Sequence, residues 1–509
     1  MHRLAVRGVM FDVARGRVPE VGTVSALIDR LADLGLNHAE LYMEAAFAYP
    51  GHESVWRGTG AMTAEDIHTL DARCRAAGVE LAPNQNTLGH MERWLTHARY
   101  RPLAATPEGW SNDRGDHEPA TTLDPGDEDA LAFASALLGE LVPRFSARTV
   151  HVGLDEPLDL NPEVWAQIYG ESQDGQVLTD GGFQVPLPPD RLAQYLAWVR
   201  SIRSLPALDG YEVVMWGDVL AAHPEVLPDL PKGLTVAEWG YEADHPFDAR
   251  CARLASAGLP FWVCPGTASW TGFLGRPSRM RANVLAAVAA GDRHGARGLL
   301  MTDWGTRGSL PVIEAGYAFA TMAATQGAET AAAVDLGTWL DTEVFADATG
   351  TFGRVLVSMG DLDLDWPVHG PEMSAAAAVL FEPAEFARFP DRGLRVEHVA
   401  ASEARLRSLL RELDAARPAR EDADLLIAEV RLAAGLQLHA LHLAEALLRA
   451  GLMDVQALDV GVRSALRDEL APLVDEQLAV WAARNRPEGS QAGVEPLREL
   501  LAVYSDGSG

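Results

Sequence analysis

The run His151-Val152-Gly153-Leu154-Asp155-Glu156-Pro157 sets two carboxylates side by side behind a short apolar stretch. Thr149–Gly153 reads as a buried strand. Side chains alternate along a strand, so His151, Gly153 and Asp155 share one face and Glu156 points away. Pro157 has no N–H to donate, so regular pairing stops by there and the chain is free to turn both acids into a cleft. Two acids in one site push their pKa values apart, one charged and one protonated. That is what glycoside hydrolysis needs. In a chain with 72 acidic residues the same pair also reads as surface charge or a helix cap.

Trp216, Trp239, Trp270 and Trp304 each lie at or just past the end of a strand-like run. One such tryptophan is usually core. Four on one rim fit an apolar box for the flat faces of a sugar, with nearby acids to bind its hydroxyls. Arg7 interrupts an apolar run, which is costly unless the guanidinium is paired. It either forms a structural ion pair or reaches along the barrel axis as a hydroxyl-binding fork. Glu44 and His90 follow two further strand-like runs and could make an acid–imidazole pair, or simply sit in solvated loops. His52 and Glu53 have neither zincin nor zinc-finger spacing, so no metal is expected. No cofactor signature appears either.

Composition narrows the classes further. Of 509 residues, 42 are Lys or Arg and 72 Asp or Glu, a net charge of −30. That argues against a nucleic-acid partner and against an anionic membrane surface. Lys232 is the only lysine, in the turn-like Pro231-Lys232-Gly233, so Schiff-base chemistry is set aside. Three cysteines, Cys74, Cys251 and Cys264, form no CxxC pair and support neither a disulfide scaffold nor a zinc site. No apolar run reaches membrane-spanning length and the first residues carry no export pattern, so a cytoplasmic location is expected.

The elements that must position these residues are legible as periodicity. Strands are expected at Leu4–Phe11, His38–Met43, Glu80–Pro83, Thr149–Gly153, Glu212–Trp216, Thr235–Glu238, Phe261–Cys264 and Gly298–Met301. Amphipathic helices are expected between most of them, including Val24–Leu34, Ala64–Ala77, Glu128–Leu141, Arg191–Ser204, Ala249–Ala257, Met280–Ala290 and Pro311–Ala324. Eight strand–helix units imply parallel pairing and an α/β (β/α)8 TIM barrel over residues 1–328. An open doubly wound sheet is the alternative, but no GxGxxG follows the first strand. Two non-periodic stretches, 100–127 and 170–188, become long loops where barrels build their sites.

After about residue 328 the pattern becomes helical, giving a C-terminal all-helical domain over 329–509. Helices are expected at Ala401–Ala416, Asp422–Arg449, Val455–Ala483 and Val494–Val503. Their apolar stripes suit an intramolecular core, with a homodimer interface as a second use. Trp481–Pro487 reads as a helix stop whose basic residues favour the C-terminal dipole, or as a border of the active-site mouth.

Taken in order, these motifs resemble the family-20 glycoside hydrolases, the β-N-acetylhexosaminidases. Arg7-Gly8-x-Met10-x-Asp12-Val13-Ala14-Arg15 resembles the family's first-strand motif, and Gly89-His90 its Gly-His. His151-x-Gly153-x-Asp155-Glu156 resembles its catalytic signature, and the later tryptophans its sugar box. The resemblance covers roughly residues 5–310 and is nearest the branch without an N-terminal α/β domain.

The resemblance implies an exo-acting, retaining, substrate-assisted reaction on a small saccharide ending in GlcNAc or GalNAc. Glu156 would be the general acid and then the base for water. Asp155 would orient the 2-acetamido group, whose oxygen attacks the anomeric carbon. Arg7 would hold sugar hydroxyls, and His90 with Glu44 would tune Glu156. Trp216, Trp239 and Trp304 would enclose the ring, with His151, Trp270 and Asp303 also at the sugar.

Two stretches depart from the family. Cys264–Trp270 lacks the Tyr-x-Asp that binds the acetamido oxygen, and Tyr241 is a candidate substitute. Asp303-Trp304-Gly305-Thr306-Arg307 replaces Trp-x-Glu, with Arg307 placed to recognise an anionic group or pair with a loop acid. A glycosidase for an unacetylated or anionic sugar, or a barrel that binds saccharide without turning it over, stays open on this reading.

Overall fold

The computed structural model describes residues 4–111, 117–162, 183–270, 272–305, 310–369 and 373–505. Eight parallel strands close into a barrel: β1 (Val6–Asp12), β2 (His38–Tyr42), β3 (Glu80–Asn84), β4 (Thr149–His151), β5 (Glu212–Trp216), β6 (Leu234–Trp239), β7 (Phe261–Cys264) and β8 (Gly298–Met301). Each pairs with its sequence neighbours, and β1 pairs with β8 through Val6–Gly298 to Val9–Met301. The runs are almost wholly buried because helices cover the outside of the barrel.

Helices α1 (Val21–Asp33), α2 (Ala64–Ala76), α3 (Glu128–Leu141), α4 (Pro189–Arg203), α5 (Asp218–Ala222), α6 (Phe247–Ser256), α7 (Pro277–His294) and α8 (Leu310–Gln326) alternate with the strands. The periodicity placed all but the five-residue α5, each to within a few residues at its ends. A capping box explains the start of α2: Thr63 accepts from the Asp66 amide, and Asp66 accepts from the Thr63 amide.

Beyond α8 the main elements are helical: α9 (Val396–Leu413), α10 (Ala423–Ala450), α11 (Val460–Ala482) and α12 (Ser490–Ser505). The expected single helix over 455–483 is interrupted. A 3₁₀ turn occupies Val455–Ala457, and Asp459 then starts α11 afresh by accepting from the Gly461 amide. Among the described residues, no helix is long and apolar enough to cross a membrane.

Two differences bear on the mouth of the barrel. β4 ends at His151, not Gly153, because Gly153 adopts φ 69° and leaves the ladder. A Cβ there would sit 2.9 Å from the Asn86 Cα, so only glycine allows β3 and β4 to close up at that level. The excursion after β3 is not featureless: Trp110–Ser111 pairs antiparallel with His117–Glu118. Most of the second expected loop, and Arg307, lie outside the described residues.

Candidate active site

Past His151 the chain takes three unusual steps at the C-terminal end of β4. Gly153, Leu154 and Glu156 all have positive φ, and Asp155 lies among them. Left-handed backbone at a non-glycine residue is strained, so the surroundings must hold it. Tyr195 on α4 donates its hydroxyl to the Leu154 carbonyl (3.0 Å), and the Trp216 amide donates to the Gly153 carbonyl (3.0 Å). Gly89 approaches so closely that a Cβ would run into the Asp155 and Glu156 carbonyls. The turn aims both carboxylates at the same imidazole: His90 Nε2 lies 3.2 Å from Asp155 Oδ2 and 3.3 Å from Glu156 Oε2.

The two acids differ in surroundings. Asp155 is buried and accepts a further bond from Asn86 Nδ2 at 3.1 Å. Glu156 is more open, its side chain 23% exposed against 7% for Asp155. Burial opposes a charge on His90, but Asp155 and then Glu156 outweigh it and hold the imidazole well above its ordinary pKa. The site therefore has a buried, well-bonded carboxylate beside an accessible one, bridged by an imidazolium. That arrangement can deliver and recover a proton.

Glu44 is placed differently from its expected pairing with His90. Its Oε1 accepts from the Tyr42 hydroxyl (2.9 Å) and lies 3.6 Å from Arg15. Burial lifts its carboxyl to about 7, against the pull of Arg15. Arg15 also lies 3.7 Å from Asp12 and stacks over the Trp304 ring at 4.8 Å. Glu44 and His90, like Glu156, have left-handed backbone, with φ 42° and 56°.

Five strand ends supply an aromatic wall. Trp216 and Trp304 stand 6.1 Å apart, and Tyr42 meets Trp304 edge-on at 4.8 Å. Trp239 stacks on Tyr241 at 5.1 Å, and Tyr241 meets Trp270 edge-on at 5.0 Å. Trp304 Nε1 donates to the Tyr241 hydroxyl at 2.7 Å, tying the two halves together. Phe183, which periodicity did not single out, covers Trp239 at 5.0 Å.

Three expected site residues lie elsewhere. Arg7 sits near the start of β1, at the opposite end of the barrel, and its guanidinium donates to the carbonyls of Gly35 (2.7 Å) and Leu4 (3.0 Å). The arginine at the mouth is Arg15, three residues beyond the end of the same strand. His151 is fully buried under Trp216, 4.3 Å between rings, and its Nδ1 accepts from the Gly153 amide; it shapes the turn instead of lining the cleft. Asp303 is buried and engaged by Arg17 (2.6 Å), Thr267 (2.6 Å) and Ser269. Sequence reasoning also missed Asp218, which accepts from the Glu156 amide. Among the described residues, no group of three or more His, Cys, Asp or Glu is arranged to hold a metal ion.

A closed parallel barrel with paired acids at the C-terminal end of β4 and an aromatic wall defines a carbohydrate-type site on a TIM barrel. The family model for glycosyl hydrolase family 20, catalytic domain, matches residues 5–273, and the chain belongs to that family.

A bovine (Bos taurus) protein named Hexosaminidase D is 29% identical over 146 residues, which is 28% of this chain and 38% of that protein. Among solved structures, Flavobacterium johnsoniae chitobiase is similar over 97% of this chain and 78% of its own, with 14% identity and a TM-score of 0.48. The family-20 β-N-acetylhexosaminidase of Streptomyces coelicolor A3(2) is similar over 70% of this chain and 69% of its own, with 18% identity and a TM-score of 0.45.

Proposed function

We propose that this chain is an exo-acting, retaining β-N-acetylhexosaminidase that removes terminal β-linked GlcNAc or GalNAc by substrate-assisted catalysis. The observation that carries the reading is the placing of Asp155 and Glu156, adjacent in sequence and both within 3.3 Å of His90 Nε2. Two adjacent acids on one imidazole suit a reaction that needs no enzyme nucleophile on the far face of the sugar ring. The nucleophile then comes from the substrate's own acetamido oxygen.

Each residue has a role that suits its surroundings. Glu156, the more open acid, protonates the glycosidic oxygen and later takes a proton from water. Asp155, held by Asn86 and His90, orients the acetamido nitrogen and offsets the charge of the oxazolinium intermediate. Arg15 and Glu44 bind sugar hydroxyls in place of Arg7. Trp216, Trp239 and Trp304 enclose the ring. Tyr241, at the junction of Trp239, Trp270 and Trp304, takes the acetamido oxygen. A cytoplasmic saccharide as substrate and a second copy packed on the helical layer belong to the same proposal; fractionation and solution mass check those two parts.

The test is hydrolysis of aryl β-glycosides of GlcNAc and GalNAc against those of glucose and galactose. Release from the acetamido sugars alone, lost in Glu156→Gln, is the expected result. One observation favours a second reading, an unacetylated or anionic sugar: the β7 end has no tyrosine, and Thr267 and Ser269 there are engaged by Asp303. Release from glucosides or galactosides, without inhibition by a thiazoline analogue of GlcNAc, would establish that second reading.

A further inference from the structure

Asp218 is a carboxylate at the barrel mouth that the reaction above leaves unused. It opens α5, two residues after Trp216 ends β5. Its side chain is almost wholly buried, and Oδ2 accepts from the Glu156 amide at 3.0 Å. Oδ1 has no hydrogen-bond partner among the described residues. The position is itself well held: the Gly217 amide donates to the Ala237 carbonyl (3.0 Å) and the Val185 amide to the Asp218 carbonyl (3.2 Å). A Cβ at Gly217 would lie 2.9 Å from Val236 Cγ1, so the missing side chain lets the β5–α5 turn sit tight on β6.

Glu156 needs such a partner. Its φ of 43° is strained for a residue with a side chain. The Leu158 amide bonds the Glu156 carbonyl at 2.8 Å, and Gly89 gives the carbonyl side of the turn its room. The first acts after the Glu156 Cα, and the Gly89 approach faces the carbonyls on both sides of it. The bond to Asp218 acts before it, on the amide. Between them they fix both peptide planes flanking Glu156, and with them the direction in which its carboxyl leaves the backbone.

We propose that Asp218 is a positioning residue for the general acid: by accepting the Glu156 amide it sets where the Glu156 carboxyl meets the glycosidic oxygen. The proposal rests on Glu156 being that acid. Burial, then the charge of Asp155, lifts the Asp218 carboxyl to about 8, so it is neutral at neutral pH. A neutral carboxyl still accepts through its carbonyl oxygen. It holds the amide without adding a negative charge of its own beside the two acids that face it, Asp155 and Glu156. Asparagine can do the same and alanine cannot.

The test compares Asp218→Asn and Asp218→Ala with the wild type, on an aryl GlcNAc glycoside and by amide hydrogen exchange of the peptide carrying Glu156. Asp218→Ala should lower kcat by about 100-fold, the cost of roughly an ångström of misplacement, with KM changed by less than about 3-fold. Its Glu156 peptide should exchange faster. Asp218→Asn should keep kcat within about 5-fold and keep the protection, since the hydrogen bond survives.

Wild-type kcat in Asp218→Ala, or equal loss in both variants, overturns the proposal. If the wild type itself releases no acetamido sugar, the functional reading fails, and exchange alone decides the positioning: equal exchange in Asp218→Ala and wild type overturns it. If Asp218→Ala does not fold, Asp218→Ser, too short to reach the amide, replaces it with the same expectations.

Discussion

Two regions bury clusters of charge, and they handle it in opposite ways. Along the seam between the barrel and the later helices, cations match acids. Glu314 on α8 is held bidentately by Arg30 of α1 (2.6 and 3.1 Å) and again by Arg420 (2.8 and 3.2 Å). Arg484 grips Glu429 on α10 through two bonds (3.2 and 2.8 Å) and Asp422 through a third (2.9 Å). A cleft runs along this seam, and in its charged lining Arg17 is paired with Asp303 and Arg484 with Glu429.

At the barrel mouth Asp155 and Glu156 share His90, Glu44 lies against Arg15, Asp218 is buried beside Asp155 and Glu156, and the backbone at Glu44, His90, Leu154 and Glu156 is strained. Paired charge of the first kind locks layers together. Unmatched charge on strained backbone is kept for chemistry.

The comparison is broken most severely by one atom pair at the mouth. Glu156→Gln keeps size and polarity but has no proton to give, and turnover of an aryl GlcNAc glycoside should fall by about 10³-fold. The melting temperature should stay within about 1 °C, a change of about 1 kcal/mol or less for a chain of this length. Comparable loss of activity and of stability would erase the distinction.

The seam predicts the mirror image. Arg484→Ala strands Glu429 and part of Asp422 without a cation, in surroundings where Glu429 is almost fully buried. Breaking a buried pair from one side costs about 3–5 kcal/mol. Urea denaturation should show that loss while kcat of the folded enzyme stays within about 2-fold of wild type.

A smaller effect is expected at Arg15, where the two kinds of charge meet. Its fork spans Asp12 and Glu44 and its plane lies on Trp304. Arg15→Lys keeps the charge but replaces a planar fork by a point donor. The expected loss is about 10-fold in kcat/KM, the worth of one desolvated stacking and bridging contact. An unchanged kcat/KM would place Arg15 with the seam-type charges.

How much of this was legible follows the same division. Alternation of apolar runs found all eight strands, because each is buried on both faces and bounded by polar turns. That Asp155, Glu156 and His90 meet at the mouth was legible because all three follow strand ends on the same side of the barrel. The same rule separates the two arginines: Arg7 lies at the N-terminal end of β1, and Arg15, beyond Asp12, is the one at the mouth. Asp218 carried the same signal, an acid just past a strand-ending tryptophan, and was passed over. The partner of Glu44 was not legible at all. Its side chain is aimed by a left-handed backbone, and a non-glycine sequence does not announce that sign of φ.

The smallest expected effect, and the sharpest on the comparison, is the sign of the pH dependence. Glu44 is held near 7 by burial, above its unfolded value. As pH rises from about 4.5 to about 7 the unfolded chain releases that proton and the folded protein keeps it, so stability falls across that window. Glu44→Gln has no proton to release and should gain on the wild type over the same window, then level off.

Asp422 goes the other way. Burial would raise its carboxyl, but Arg420 and Arg484 outweigh that and hold it below its ordinary value. Its contribution is present above the unfolded pKa and is lost as pH falls through the folded one. Asp422→Asn should therefore melt earlier than wild type at neutral pH, and the gap should close under acid conditions. Melting curves of both variants from acid to neutral pH test this directly. Two shifts of the same sign would mean that the mouth and the seam hold their charges in the same way.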